Sequence, residues 1–469
     1  MRMSVILRGV ALVTALIVFA VAFGPGDSVA GFGAMFPERR AAAAFSVAFV
    51  IAAMTLPTRW LERIVPAVTM TVISVAIGEA ALRLTVGEQY ATTIELDEKR
   101  LFRLAPGTSK MVSVAPVNGG DKFRVVVDSL GNRRSSDGRV AAAGDILVVG
   151  DSFIEGETTP DTLTFAEQFQ RRLAPRASTP MHVVNGGVIG YGPDQVLLRI
   201  EAELPRLRPR LLVVGVFAGN DFGDLQRNRL FRLDSTRHLV RRQAVVSPEL
   251  VAQIERGKAR WIFAKLIFRI RNAPEPVRTD DAASSDAKSL AFVEQWMRDR
   301  HSESNIATDD TLVTNLFDDT PDVDVAAEPD APEVTRKREL LLAVLDSIGR
   351  FAASRDVPVV FVLIPSAIDV LDKYEGGRID TVRFPHYDRA GVTGKIAERL
   401  RANGRSVIDL FGPFRESTTR LYLRGDDNHW NAEGQALAAT IVADSVAPWL
   451  FHPDSGPVAQ GAVRGAVKH

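Results

Sequence analysis

Ser152 follows the apolar run Ile146-Leu147-Val148-Val149-Gly150 and opens a turn toward a helical pattern. A serine hydroxyl is a poor nucleophile until a base takes its proton, and that base must be held in one tautomer by a third group. His429 is the candidate base. Of the seven histidines it alone has an aspartate three positions earlier, Asp426. From that spacing a carboxylate on the same loop can reach Nδ1 while Nε2 faces the serine. Asp427 is a rival for the same role, and the sequence does not exclude it. An attack by serine also creates an oxyanion, which needs donors already in place. Gly190 offers a backbone amide with no side chain in the way, and Asn220 offers a side-chain amide.

Each of these residues also has a purely structural reading. A serine after a strand is an ordinary helix entry, and the Asp-His loop could be a solvated approach to a helix capped by Asn431. Asn185-Gly186 and Gly190-Tyr191-Gly192 form turns whatever the function. A metal site is a further alternative for Asp and His, but no second histidine stands at ligand spacing. Order and placement separate these readings.

Five short apolar runs read as strands: Ile146 to Gly150, His182 to Asn185, Leu211 to Phe217, Pro358 to Ile364, and Ser406 to Leu410. Continuous apolar runs suit parallel strands covered on both faces. Helical patterns lie between them, at about Leu163–Leu173, Gln195–Leu204, Lys337–Ser354 and Val392–Ala402, with a last one from Ala432 to Val446. Such alternation predicts a three-layer α/β/α sandwich around a five-stranded parallel sheet. Ligands in such sheets bind beyond the carboxyl ends of the strands. Ser152, Gly190, Asn220 and the 426–429 segment all follow strands, so one rim collects them.

The blocks Gly150-Asp151-Ser152-Phe153, Asn185 to Gly190, Gly219-Asn220-Asp221 and Asp426 to His429 resemble, in order, the four signature blocks of the GDSL/SGNH hydrolase family. The resemblance covers about Gly144–Gly223 and Lys337–Leu450, and implies a flavodoxin-like SGNH fold. It also implies Ser152 as nucleophile, His429 as base and Asp426 as its partner. Ser152, Gly190 and Asn220 would be the oxyanion donors. No metal or other cofactor is implied. The activity implied is a serine esterase removing acyl groups, chiefly acetyl, from O-acylated glycans or related esters through an acyl-enzyme. Two alternatives remain open: an O-acyltransferase on a surface or exported polysaccharide, and a non-catalytic glycan-binding or assembly subunit. A complete Ser, Gly, Asn, His and Asp set argues against the last.

The rest of the chain sets the context. Its 469 residues suggest two or three units, and 57 basic residues balance 57 acidic ones, leaving no footprint for nucleic acid. With no cysteine, disulfides and a thiol nucleophile are excluded. Residues 1–86 read as a membrane anchor of two or three spans, over Val5–Phe23, Ala41–Leu56 and Ile64–Leu82; the first is alternatively a cleaved signal. Three spans, or a cleaved signal followed by two, place the catalytic domain outside a bacterial inner membrane, in the periplasm, where glycan esters and polysaccharide assembly partners are at hand; if the second stretch does not span, the domain would be cytoplasmic. Residues 87–144 read as a small β-rich extension and 145–450 as the hydrolase domain. That domain is interrupted at 223–335 by a basic helical stretch and then an acidic, flexible one, and 451–469 read as a disordered tail. Within the interruption, Trp261 to Ile270 suits a cap helix or a membrane interface.

Overall fold

The computed structural model describes residues 2–22, 37–86, 92–248, 321–425 and 427–451, together with 250, 251, 253, 254, 262, 290, 291 and 293–298. The chain divides into two compact units, Met1–Gly87 with Arg260–Ala273, and Glu88–Ala259 with Pro274–His469.

The first unit contains the helices α1 (Arg2–Ala22), α2 (Pro37–Thr55) and α3 (Thr58–Val86). Ala11, Ala15, Phe49, Ala53, Leu61 and Val65 pack together where they meet, while Leu16, Ile51, Met70 and Ile77 face outward. Among the described residues α3 alone is long and apolar enough to cross a membrane, over Thr58–Thr85 at mean hydropathy 1.8. Met3–Phe19 and Ala42–Thr55 are shorter apolar helices. The outward apolar side chains suit a lipid surround better than water.

The second unit begins with two antiparallel pairs: β1 (Ile94–Asp97) with β2 (Leu101–Leu104), and β3 (Ser109–Ser113) with β4 (Lys122–Val126). The main sheet follows. It is built from β5 (Ile146–Gly150), β6 (Val183–Gly187), β7 (Leu211–Phe217), β10 (Val359–Ile364) and β11 (Ser406–Asp409), all parallel, in the order β11-β10-β7-β5-β6. Alternate residues of each strand enter opposite cores. Leu147, Val149, Leu212, Val214, Phe361 and Leu363 face one side, and Ile146, Val148, Leu211, Val213, Val360 and Val362 the other. The first side is covered by α6 (Pro193–Leu207), then α9 (Pro332–Ala353) and α11 (Gly391–Ala402). The second is covered by α5 (Phe165–Leu173) and α13 (Ala432–Phe451). Burial on both faces is why the strands read as unbroken apolar runs rather than as alternating ones. The fold is the three-layer α/β/α sandwich that the alternation predicts.

Taken in chain order, the sheet runs 2-1-3-4-5. Its connections diverge between β5 and β7, and such a switch point opens a crevice at the carboxyl ends. Ser152 follows β5 and Asn220 follows β7, so the topology alone puts them on either side of that crevice.

The interruption differs from expectation. Its first part continues as α7 (Asp221–Asn228) and then makes a hairpin, β8 (Phe231–Leu233) with β9 (Leu239–Arg241), in place of a long helix. Asp234 Oδ1 accepts the Thr236 and His238 amides and folds the chain back, a local competition that aspartate commonly wins over helix. At the far end, Asp322 and Asp324 are buried rather than in a flexible acidic stretch. Val323, Val325, Ala326 and Ala327, in the short helix α8 (Val323–Ala327), are buried in the cores on the two faces of the sheet, and Lys337 supplies the opposite charge. Asp309, Asp310, Asp318 and Asp319 lie outside the described residues, as do Trp261, all of 263–270, and 452–469.

Candidate active site

Close packing shapes the turn after β5. Asp151 caps the one-turn helix α4 (Ser152–Glu155) by accepting the Phe153 amide at 3.0 Å. Gly156 ends that helix in the left-handed region at φ 73°, where glycine carries no steric cost. The turn lies directly on β6: a Cβ on Gly187 would come within 2.1 Å of the Glu155 nitrogen. No other residue fits there.

His429 sits in a narrow antiparallel pairing of Tyr422 with Trp430, in which Leu423 donates its amide to the His429 carbonyl at 2.9 Å. Trp430 is buried and its indole N–H donates to the Phe153 carbonyl at 3.0 Å, tying the histidine's strand to the nucleophile's turn. The Phe153 ring stacks on the imidazole with centroids 4.9 Å apart. The result is a short relay. Ser152 Oγ lies 2.8 Å from His429 Nε2, and His429 Nδ1 lies 2.7 Å from Asp427 Oδ1. These partners assign the tautomer: Nδ1–H donates to the carboxylate and Nε2 accepts the serine proton.

The carboxylate in this relay is that of Asp427, the rival in the sequence, whereas the expected partner Asp426 lies outside the described residues. Spacing explains why Asp427 suits the position. An aspartate two residues before another accepts its backbone amide in an Asx turn, and Asp427 Oδ1 accepts the His429 amide at 3.0 Å. The same oxygen then meets Nδ1. Burial pushes the Asp427 carboxyl up, but the hydrogen bond and charge of His429 outweigh it and leave it below the usual range. It therefore stays ionised at neutral pH.

The expected donors end on the same rim. Gly190 follows β6 in a turn closed by the Tyr191 amide on the Val188 carbonyl (3.1 Å), with φ 73°. Asn220 is buried and opens α7. Among the described residues neither the Ser152 amide nor the Gly190 amide has an acceptor within the protein. Two amides left over at the end of neighbouring strands are what an oxyanion hole requires. Also among the described residues, no three His, Asp or Glu side chains gather as a metal site would need.

Three supports went unseen in the sequence. Glu155, fully buried, accepts the Ile189 amide at 2.6 Å and so ties the nucleophile helix to the Gly190 turn. Burial raises its pKa against the opposing charge of Lys110. Arg133, also buried, donates to the carbonyls of Glu155 (2.8 Å), Gly156 and Thr159 (2.6 Å), and thereby caps the far end of the same turn. Asn118 holds the other half: its side chain accepts the Arg424 amide at 2.7 Å and donates to the Arg424 carbonyl at 3.2 Å. Arg133 and Asn118 both precede the sheet, so the 92–144 region braces both sides of the relay.

No family model and no curated protein matches the chain. Several solved structures are similar to it. They include a GDSL-like lipase from Bacteroides thetaiotaomicron, at 10% identity and TM-score 0.28 over 64% of this chain and 87% of that one. A lipase/acylhydrolase from Enterococcus faecalis is 15% identical at TM-score 0.30, over 65% and 95%. A psychrotrophic esterase from Pseudoalteromonas is 9% identical at TM-score 0.32, over 66% and 98%. Likeness at this level fixes no chemistry.

Proposed function

We propose that the chain is a serine esterase, and the observation that carries this reading is the Ser152–His429–Asp427 relay at the switch point of the sheet. In the reaction, His429 Nε2 takes the hydroxyl proton as Ser152 Oγ attacks the ester carbonyl carbon. Negative charge moves to the carbonyl oxygen, where the Ser152 and Gly190 amides and the Asn220 side chain receive it. The tetrahedral intermediate collapses, the carbon–oxygen bond to the alcohol breaks, and His429 returns its proton to the departing alkoxide. Water then repeats the sequence on the acyl-serine, releasing the acid. Asp427 holds the ring and stabilises the imidazolium without taking the proton.

The substrates are O-acylated, chiefly O-acetylated, glycans met at a bacterial inner membrane on its periplasmic side. The apolar face of α3 supports the membrane part of this reading. The test uses the full chain in detergent, an O-acetylated polysaccharide, and p-nitrophenyl acetate, with Ser152→Ala alongside. Acetate release that disappears in the variant is expected. Product that appears only when a sugar acceptor is added would move the assignment to acyl transfer. No turnover of either ester would leave the glycan-binding alternative.

A further inference from the structure

Asp322 stands at the far end of the interruption, yet it closes the turn that carries Asn220. Its amide donates to the Gly219 carbonyl at 2.5 Å, and its Oδ2 accepts the Gly223 amide at 2.8 Å. Asn220 lies between those two glycines. One residue therefore grips both ends of the turn, across 99 positions of sequence. Other bonds hold the middle: the Asn220 carbonyl accepts from Asp224 at 2.9 Å, and Asp221 Oδ2 accepts the Phe217 amide at 2.7 Å. The turn has no slack of its own, since a Cβ on Gly219 would come within 2.3 Å of the Phe217 ring.

A carboxylate in this position needs a counter-charge. Both the Asp322 and Lys337 side chains are 0% exposed, and Lys337 Nζ lies 3.6 Å from Asp322 Oδ1 and 2.5 Å from Asp324 Oδ2. An ion pair buried this deeply is no bargain for stability when an apolar core would serve as well. Its place beside a candidate oxyanion donor fits a task in orientation.

We propose that Asp322, with Lys337 as its buried counter-ion, is a positioning residue that aims the Asn220 side chain at the oxyanion. The assignment rests on the esterase reading above. It makes the segment resuming at 321 part of the oxyanion site, so that the interruption is bounded on both sides by residues serving one turn. A purely structural clasp would lower the amount of folded protein and leave the turnover of what folds unchanged.

The experiment measures kcat and KM of the full chain in detergent on p-nitrophenyl acetate, per mole of folded protein. It compares wild type, Asn220→Ala, Asp322→Ala, Asp322→Asn and the Asn220→Ala/Asp322→Ala pair. Asp322→Ala should lower kcat by about 10- to 100-fold with KM little changed, a loss confined to the transition state. Asp322→Asn keeps an oxygen for the Gly223 amide and should recover most of that loss. The pair should be no slower than Asn220→Ala alone, because both remove the same donor. Asp322→Leu, closer in volume, enters the same cycle if the alanine variant does not fold. A wild-type kcat in the Asp322 variants, or losses that multiply in the pair, would overturn the proposal. An inactive wild type would overturn the esterase reading itself, an outcome visible before any variant is compared.

Discussion

Among the described residues the molecule holds two Ser-His-Asp arrays, at opposite ends of the same sheet. One is Ser152–His429–Asp427, beyond the carboxyl ends of the strands. The other joins Ser135, His182 and Asp145, with Asp145 and His182 immediately preceding β5 and β6. There, His182 Nδ1 lies 3.0 Å from Asp145 Oδ2 and Nε2 lies 3.3 Å from Ser135 Oγ. By distance alone the two differ little. Their surroundings differ in every respect that matters for acyl transfer. Ser135 Oγ already donates to Asp137 at 2.6 Å, while Asp145 also receives Arg139 (2.9 Å) and the Ala142 amide (2.8 Å). The nearby amides of Ser136 and Gly138 have acceptors in Glu167 and the Ser135 carbonyl. Among the described residues the Ser152 and Gly190 amides have no acceptor within the protein. A relay becomes a hydrolase through unspent donors as much as through its histidine.

The largest expected contrast follows from that difference. Ser152→Ala should lower kcat on p-nitrophenyl acetate by about 10⁶-fold at most, down to whatever the oxyanion site alone sustains. Ser135→Ala should leave it within about twofold, as a change remote from the site does. Equal losses would make the two arrays functionally alike.

Next comes the carboxylate. Asp427→Asn should cost about 10⁴-fold in kcat by letting the imidazole adopt the wrong tautomer, with a smaller loss for Asp426→Asn. The pH profile sharpens the choice. Protonating His429 removes the base, so kcat/KM falls on the acid side. The carboxylate that partners His429 sets where that limb falls, so Asp427→Asn should move it. A shift in Asp426→Asn instead would reassign the partner. The Asp427 carboxyl is depressed in the folded chain, so its contribution holds at neutral pH and is lost only as pH falls through that lowered value.

Asn220→Ala should cost about 10²- to 10³-fold in kcat, the range for a single oxyanion donor. The smallest kinetic effect belongs to the second array. His182→Ala should reduce resistance to urea, because Asp145 loses a buried partner, while turnover per folded molecule stays the same. A fall in turnover there would mean that the two ends of the sheet are coupled.

The sheet was legible because two-sided burial leaves a strong mark. Four of the five strands start and end within a residue of their apolar runs, and β6 runs two residues past its own because Gly186 and Gly187, which read as turn formers, continue the strand. Ser152 and His429 were legible for a related reason: strand ends and short local motifs lie in contiguous sequence. The partner carboxylate was ambiguous because two adjacent aspartates precede one histidine; among the described residues it is Asp427, through its Asx turn, that meets the ring. Arg133, Asn118 and Asp322 left no local trace. Each acts on a turn far away in sequence, as Asn118 does on Arg424, and only the fold brings the pairs together. Asp322 and Asp324 misled for the opposite reason: charge density looks like disorder until Lys337 is placed between them.

The most direct measurement is covalent. A fluorophosphonate probe reacts with a serine only where a base and an oxyanion site act together. Treating the full chain with it and mapping the adduct by mass spectrometry should find Ser152 modified and Ser135 untouched, with labelling lost in Ser152→Ala and in His429→Ala. An unlabelled chain, or an adduct on Ser135 that survives Ser152→Ala, would contradict the account at its centre.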